Sequence, residues 1–467
     1  MQNVDVLVIG GGPGGTPAAM VLAQAGRSVM LVEAGPGLGG TCLFQGCIPS
    51  KIFRESAARL DDLARAARLG VRPAVPQPTI DWAAVQARRR EVLERRAEGA
   101  LAQARGIPTL EVVFGRARLT GSRRAVIEMR GKRREVGFER AILATGSLPN
   151  RLPVPGAELP GVLTSEGLID IGYVPKRLAL IGGGPIGVEM AQIFHLLGSA
   201  ATILEAGSRI LEPVDAVLAE RLTQRLRRGG ITVSTGVEVR SIEAEDGRYL
   251  VRYTSGAKEL VAEADVVVMA TGRHPNVDHL GLDQTRVRYN RHGVHVDAQL
   301  QTDEHGIFAI GDLVGHPMFA HWASAQALAV AGHLLGLPEA FPSPDRNSAV
   351  IFSRPELSMA GLTEEAARAA GHPVSVAEYD YRGDARAQID DDADGLLRLV
   401  YRSDDRRILG VHALKEGSSE IIGEAALAVA GGLRIEQLAS AVHPHPTLTE
   451  AFGFAARRAG HPLANAL

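Results

Sequence analysis

The chain's only two cysteines, Cys42 and Cys47, stand five positions apart in the stretch Gly39-Gly40-Thr41-Cys42-Leu43-Phe44-Gln45-Gly46-Cys47-Ile48-Pro49-Ser50-Lys51. In a chain of 467 residues, that placement reads as a working pair, and its chemistry is sulfur redox. Residues five apart on an ideal helix are separated by about 7.5 Å of rise, beyond the roughly 4.4–6.8 Å between Cα atoms that a disulfide prefers. The stretch must therefore bend. Gly39, Gly40 and Gly46 supply unusual backbone angles, and a helix can run on over residues 52–69. Cysteines near the start of such a helix have a lowered thiol pKa and a more available thiolate. The bland reading is a pair of reduced buried thiols; two cysteines alone make a poor zinc site, so no metal is expected.

The elements that must position this pair are legible on either side of it. Residues 4–9 form an apolar run of strand length, followed by Gly10-Gly11-Gly12-Pro13-Gly14-Gly15, a helical stretch over 17–25 and a second strand over 28–32 that ends at Glu33. Gly10, Gly12 and Gly15 fit the spacing that gives a tight turn, a close backbone approach to a pyrophosphate and close helix packing, and Glu33 can accept from ribose hydroxyls. Residues 178–205 repeat the unit, with Gly182, Gly184 and Gly187 in the turn and Glu205 at the end of the second strand; Ala270-Thr271-Gly272 likewise repeats Ala144-Thr145-Gly146. Two units point to two dinucleotides. Glu205 favours a free 2′-hydroxyl over a 2′-phosphate, hence NAD, with Arg209 the nearby cation that argues the other way.

Elsewhere several readings compete. Residues 61–105 are rich in Ala and Arg, with Gly70, Pro73, Pro76 and Pro78 separating two helical stretches. Arg88-Arg89-Arg90 and Arg95-Arg96, interleaved with Glu91, Glu94 and Glu98, read as a solvated helix face rather than an anion site. A strand-rich portion over 109–136 follows, and residues 398–412 alternate as a sheet does. Asp312 is either a cofactor contact or a helix cap, Glu189 either a solvated or a buried carboxylate, and the Ala-rich helix over 420–433 either core or interface. In Pro444-His445-Pro446-Thr447-Leu448-Thr449-Glu450, Thr447 and Glu450 fit a capping box; the same residues suit a His general base held by a carboxylate. A net charge of −2 indicates neither a nucleic-acid partner nor an anionic membrane. No basic leader precedes the first strand and no stretch approaches spanning length, so the expected location is the cytoplasm, where a Cys pair is more often catalytic than structural.

The cysteine stretch, the two glycine units, Thr302 to Asp312, Pro317 to His321 and the terminal His-Glu motif, in this order, resemble the pyridine nucleotide-disulfide oxidoreductase family and most of all its dihydrolipoamide dehydrogenase branch. The resemblance covers essentially the whole chain. It implies an α/β fold of two Rossmann-like dinucleotide-binding domains plus a C-terminal α+β dimerisation domain: residues 1–150 for FAD, 151–275 for NAD, 276–344 returning to the FAD domain, and 345–467 for dimerisation. It implies that Cys42 exchanges with substrate, that Cys47 faces the flavin, and that Lys51, paired with Glu189, lies near the flavin's reactive nitrogen. Gly40, Thr41, Ala117, Thr145, Gly146, Asp312 and Ala320 would complete the FAD site, and Val237 and Gly272 the NAD site. His445, held by Glu450, would reach the other subunit's disulfide, making a homodimer with a shared active site that oxidises a lipoyl-bearing carrier protein. At Phe44-Gln45, Trp322 and Gln326 the chain departs from the family's usual residues. A glutathione-type reductase or an enzyme dedicated to a non-standard lipoyl carrier is the alternative; mercuric reductases carry an extra C-terminal Cys pair that this chain lacks.

Overall fold

A computed structural model describes residues 2–72, 79–338 and 340–459. Strands β1 (Gln2–Ile9) and β2 (Val29–Glu33) flank helix α1 (Gly15–Gln24). Helices α2 (Gly40–Phe44), α3 (Cys47–Arg65) and α4 (Trp82–Arg105) follow, then strands β3 (Leu110–Phe114), β4 (Arg116–Gly121), β5 (Arg124–Met129) and β6 (Lys132–Leu143). The sheet order is β3-β2-β1-β6-β5-β4, parallel from β3 to β6. The short strand Ile307–Ala309 adds in parallel to β6, so the chain returns to its first sheet late in the sequence.

The same order recurs in the middle of the chain. Strands Thr232–Ser234, Ala200–Leu204, Arg177–Ile181 and Val266–Met269 are parallel neighbours in that sequence, with Val162–Thr164 at the edge. An antiparallel meander, Val237–Glu245, Arg248–Ser255 and Lys258–Ala264, stands in for β4 and β5. The C-terminal part is a five-stranded antiparallel sheet backed by helices, and the whole is the mixed α/β architecture expected. Among the described residues no helix is long and apolar enough to cross a membrane.

Helix α3 is placed by its buried stripe, Ile52, Phe53 and Ala57, while its charged face carries the Glu55–Arg59 and Asp61–Arg65 pairs one turn apart. Gly70, in the left-handed conformation at φ +80°, closes the short 3-10 turn Ala66–Leu69 that continues it. The expected prolines Pro73, Pro76 and Pro78 lie outside the described residues. Trp82 opens α4 and packs between the tilted rings of Phe53 of α3 and Phe194 of the second unit, with ring centroids 4.7 and 5.8 Å away. Burial of side chains of this size contributes about 1.5–3 kcal/mol each, which fixes α3 against the second sheet.

Two expectations need correction and a third, left open, gains detail. Arg89 is not on a solvated face: it is buried and donates to the Ile169 carbonyl and to Asp170, because α4 lies against the segment that follows the Val162–Thr164 strand. Strand Leu396–Arg402 does not alternate, since six of its seven residues are buried where elements cover both faces of the sheet. The helix Ser418–Ala430 is both core and surface, burying Ile421, Ile422 and Ala425 while Leu427 is 72 % exposed.

Arg398 braces the C-terminal sheet to the second unit. It donates to Asp215, the buried N-cap of helix Ala216–Arg228, and to Glu364 and Glu378. Arg398→Met leaves Asp215 with its charge buried and unpaired, a change expected to cost on the order of 3 kcal/mol. Adding Asp215→Asn should recover part of that loss, both effects being read by denaturant unfolding.

Candidate functional site

A cavity of about 1550 Å³ opens at the carboxyl ends of β1 and β6, where the strand order reverses. Three glycines shape its floor. A Cβ on Gly10 would stand 2.3 Å from the Ala144 carbonyl oxygen, and one on Gly15 1.8 Å from that of Gly10, so both are required by backbone contact. Gly12 is different, since the nearest atom to its Cβ would be Gly40 Cα at 3.8 Å. Its missing side chain leaves room toward the cavity, which fits a bound pyrophosphate. The second unit repeats the pattern: Gly182 and Gly187 meet backbone, and a Cβ on Gly184 would meet nothing within 4 Å. Glu33 accepts from the Gly11 and Gly35 amides, and Glu205 accepts from Gly183 and Gly207 in the same way. Each carboxylate is thereby aimed across its own glycine turn. Arg209 is engaged by the Glu212 carbonyl and Glu365, away from the role of receiving a 2′-phosphate.

Cys42 lies on α2 and Cys47 is the first residue of α3, so the bend expected between them is a break between two helices. Gly39 and Gly40 have the positive φ of +127° and +57°. Gly46 has a negative φ, with φ −140° and ψ −106° that are neither helical nor extended, and a Cβ there would stand a tight 3.1 Å from the Thr41 carbonyl oxygen. Both cysteines are thiols here, and they titrate as one pair. A hydrogen bond from Cys42 holds the Cys47 thiol down to about 7 against the effect of burial, and the Lys51 ammonium lowers it further. Cys42 moves the opposite way, because it is the donor to Cys47 and is half-buried. Cys47 is therefore the more acidic thiol of the reduced pair.

Lys51 sits one turn along α3 from Cys47 and donates to Glu189 Oε2 at 2.7 Å. Glu189 is buried on helix Pro185–Leu196, which decides between its two readings in favour of the pair. Glu189 Oε1 accepts from the Phe352 amide at 2.9 Å. Asp312 is no helix cap: it accepts from Ser147 Oγ at 2.6 Å, and the following helix, Ala320–Leu334, is capped at Phe319. Gln326, one of the departures, gives its side-chain carbonyl to the buried Gly311 amide, a role a neutral amide fills without a charge; Trp322 packs in the core beside it.

Cys42, Cys47, Lys51 and Glu189 share the cavity wall with Gly10, Gly12, Glu33, Gly40 and Thr41. Ala117, Thr145, Gly146, Gly272, Asp312 and Ala320 line it as well, while Gly15 packs beneath. Gly182, Gly184, Gly187, Glu205 and Val237 form the separate second turn and its adjoining strand, outside that wall. His445 and Glu450 also lie apart from it. The His445 side chain is 70 % exposed, and its Nδ1 is 3.1 Å from both Glu450 oxygens. Burial raises the Glu450 pKa, but the Thr447 amide and His445 hold it below the usual carboxylate range. Half of the capping box is therefore real. Its other half is absent, since Thr447 Oγ1 donates to the Pro444 carbonyl and Thr449 is the cap. With Nδ1–H given to Glu450, Nε2 is the basic nitrogen.

Sequence reasoning missed Phe352, Ser147, Arg273 and His443. Arg273 donates to Ser147 and to Glu166, tying the second unit to the Asp312 contact, and His443 pairs with Glu424 at 2.8 Å. Only His443, in the repeated His-Pro pattern, left a signal to follow.

The family model described as pyridine nucleotide-disulphide oxidoreductase matches residues 4–327, and that of the family's dimerisation domain matches residues 347–456. The chain belongs to the pyridine nucleotide-disulphide oxidoreductases. Among curated relatives, a dihydrolipoyl dehydrogenase of Geobacillus stearothermophilus is 34 % identical over 96 % of this chain and 94 % of its own length. One of Thermus scotoductus is 35 % identical, covering 96 % of both. The HOCl-induced flavoprotein disulfide reductase RclA from Escherichia coli, solved as its Cu(II) complex, superposes with a TM-score of 0.86 at 28 % identity over 98 % of this chain and 99 % of that one. As a pyridine nucleotide-disulphide oxidoreductase the chain uses FAD and NAD, and the open middle glycine of each turn fits one dinucleotide apiece.

Two variants separate fold from cofactor. Gly12→Ala should fold with an unchanged Tm yet emerge without flavin colour, whereas Gly15→Ala should lose soluble, folded protein. In the reduced protein, thiolate absorbance should titrate at about 7, vanish from that range in Cys47→Ser and move upward in Lys51→Met.

Proposed function

We propose that the protein is a homodimeric dihydrolipoamide dehydrogenase of the cytoplasm, oxidising a dihydrolipoyl group borne by a carrier protein and reducing NAD. The observation that carries this reading is the Cys42–Cys47 pair set against Lys51 and Glu189 in the cavity, in a chain that also holds a His445–Glu450 pair on its surface. The names of the curated relatives support the substrate, and the matched dimerisation domain supports the pairing of two chains.

The chemistry starts from the Cys42–Cys47 disulfide. The first substrate thiol loses its proton to solvent and attacks Cys42 Sγ as the thiolate, forming a mixed disulfide and breaking the bond to Cys47. Cys47 leaves as a thiolate, stabilised by the α3 N-terminus and by Lys51. His445 of the partner subunit takes the proton of the second substrate thiol at Nε2; that thiolate then attacks the substrate sulfur of the mixed disulfide. Cyclic lipoamide is released, and Cys42 leaves as a thiolate that recovers the proton from His445. Glu450 fixes the imidazole tautomer and stabilises the imidazolium between these transfers. Bound FAD supplies the two-electron relay from the cysteine pair to NAD.

Mixing subunits tests the shared site. Cys47→Ser and His445→Gln homodimers should each turn over dihydrolipoamide at a small fraction of the wild-type rate while keeping flavin. Unfolded together in equal amounts and refolded, they should recover roughly a quarter of wild-type activity, because half of the dimers are hybrids with one intact site. No recovery would place each His445 with the cysteines of its own chain, and an active His445→Gln homodimer would place it outside the reaction.

A further inference from the structure

Phe352 makes three contacts around the cysteine helix, and none of them was assigned from the sequence. Its amide donates to Glu189 Oε1 at 2.9 Å, its carbonyl accepts from Arg54 Nε at 3.0 Å, and its ring centroid lies 4.4 Å from Lys51 Nζ. The residues that follow extend the grip. Gln192, on the same helix as Glu189, bonds both the amide and the carbonyl of Arg354, and Arg54 donates to Glu356 and Glu416. Lys51 and Arg54 belong to α3, Glu189 and Gln192 to helix Pro185–Leu196, and residues 352–356 fall inside the matched dimerisation domain. We propose that Phe352 is a positioning residue through which the dimerisation domain holds the Lys51–Glu189 pair in register with the cysteines.

An aromatic face suits this task for a specific reason. It attracts the ammonium without adding a negative charge and without consuming one of its three N–H donors. A second carboxylate in that place would cancel the field that Lys51 exerts at Cys47. The Phe352 amide acts on the other member of the pair, sharing the Glu189 charge so that it is not spent wholly on Lys51. The inference rests on the reading that Lys51 is the cation serving the working cysteines.

The test is a double-mutant cycle read by the pH titration of the Cys47 thiolate in the reduced, flavin-loaded protein, with Cys42, Lys51 and Glu189 as the groups that face it. Phe352→Leu keeps both backbone bonds and removes the ring. Its titration should rise from about 7 to roughly 7.5, the size a partly exposed cation–π contact supports. In a Lys51→Met background the same change should have no effect, and Phe352→Tyr should restore the wild-type curve. Pentafluorophenylalanine at 352, which retains ring and shape while removing the negative face, should behave as Leu and serves if the Leu variant does not fold. An unmoved titration in these ring variants, or a shift equal in both backgrounds, overturns the proposal. If Lys51→Met alone leaves the titration unmoved, the underlying reading of Lys51 fails instead.

Discussion

One ion pair joins the parts of this protein that sequence distance keeps apart. Lys51 comes from the first dinucleotide unit, Glu189 from the second, and the strap at Phe352 from the C-terminal domain, 163 residues beyond Glu189. A buried carboxylate is costly alone, so Glu189 is tolerable only when α3, its own helix and the strap are all seated. The cavity that receives the flavin is complete under the same condition. Electrostatics at the cysteines and the assembly of the chain are thus parts of one constraint.

Duplication explains much of the remaining design. Both glycine turns use the same two backbone collisions to force glycine at the first and third positions, and both leave the middle position open to a ligand. Both also tether a glutamate across the turn through a pair of amides 22 and 2 residues away. The divergence lies in what surrounds the two turns. Only the first adjoins the cysteine stretch, and only the first receives a late strand, Ile307–Ala309, that carries Asp312 to the cavity. The second has Arg209 held by the Glu212 carbonyl of its own loop and by Glu365 of the C-terminal part, away from Glu205.

The legible features were those encoded by local spacing. Glycine turns, strand-helix alternation and two cysteines five apart are short-range patterns, and they disclosed the two dinucleotide units, while the C-terminal dimerisation domain came from the family resemblance. Phe352 was invisible because its role depends on three elements meeting, which no local pattern records. Arg89 misled for a related reason: alternating charge on a helix looks solvated until a neighbour covers one position. At Glu450 the contacts that both competing readings require are present, because one carboxylate reaches the Thr447 amide and the His445 ring together.

The most direct test of the account is anaerobic turnover of the purified flavoprotein with each pairing of substrate and nucleotide. NAD should be reduced rapidly by dihydrolipoamide, with NADP serving poorly because Glu205 repels a 2′-phosphate. Turnover only with glutathione disulfide and NADPH would contradict both the substrate assignment and the reading of Glu205, while leaving the fold and the cysteine pair in place.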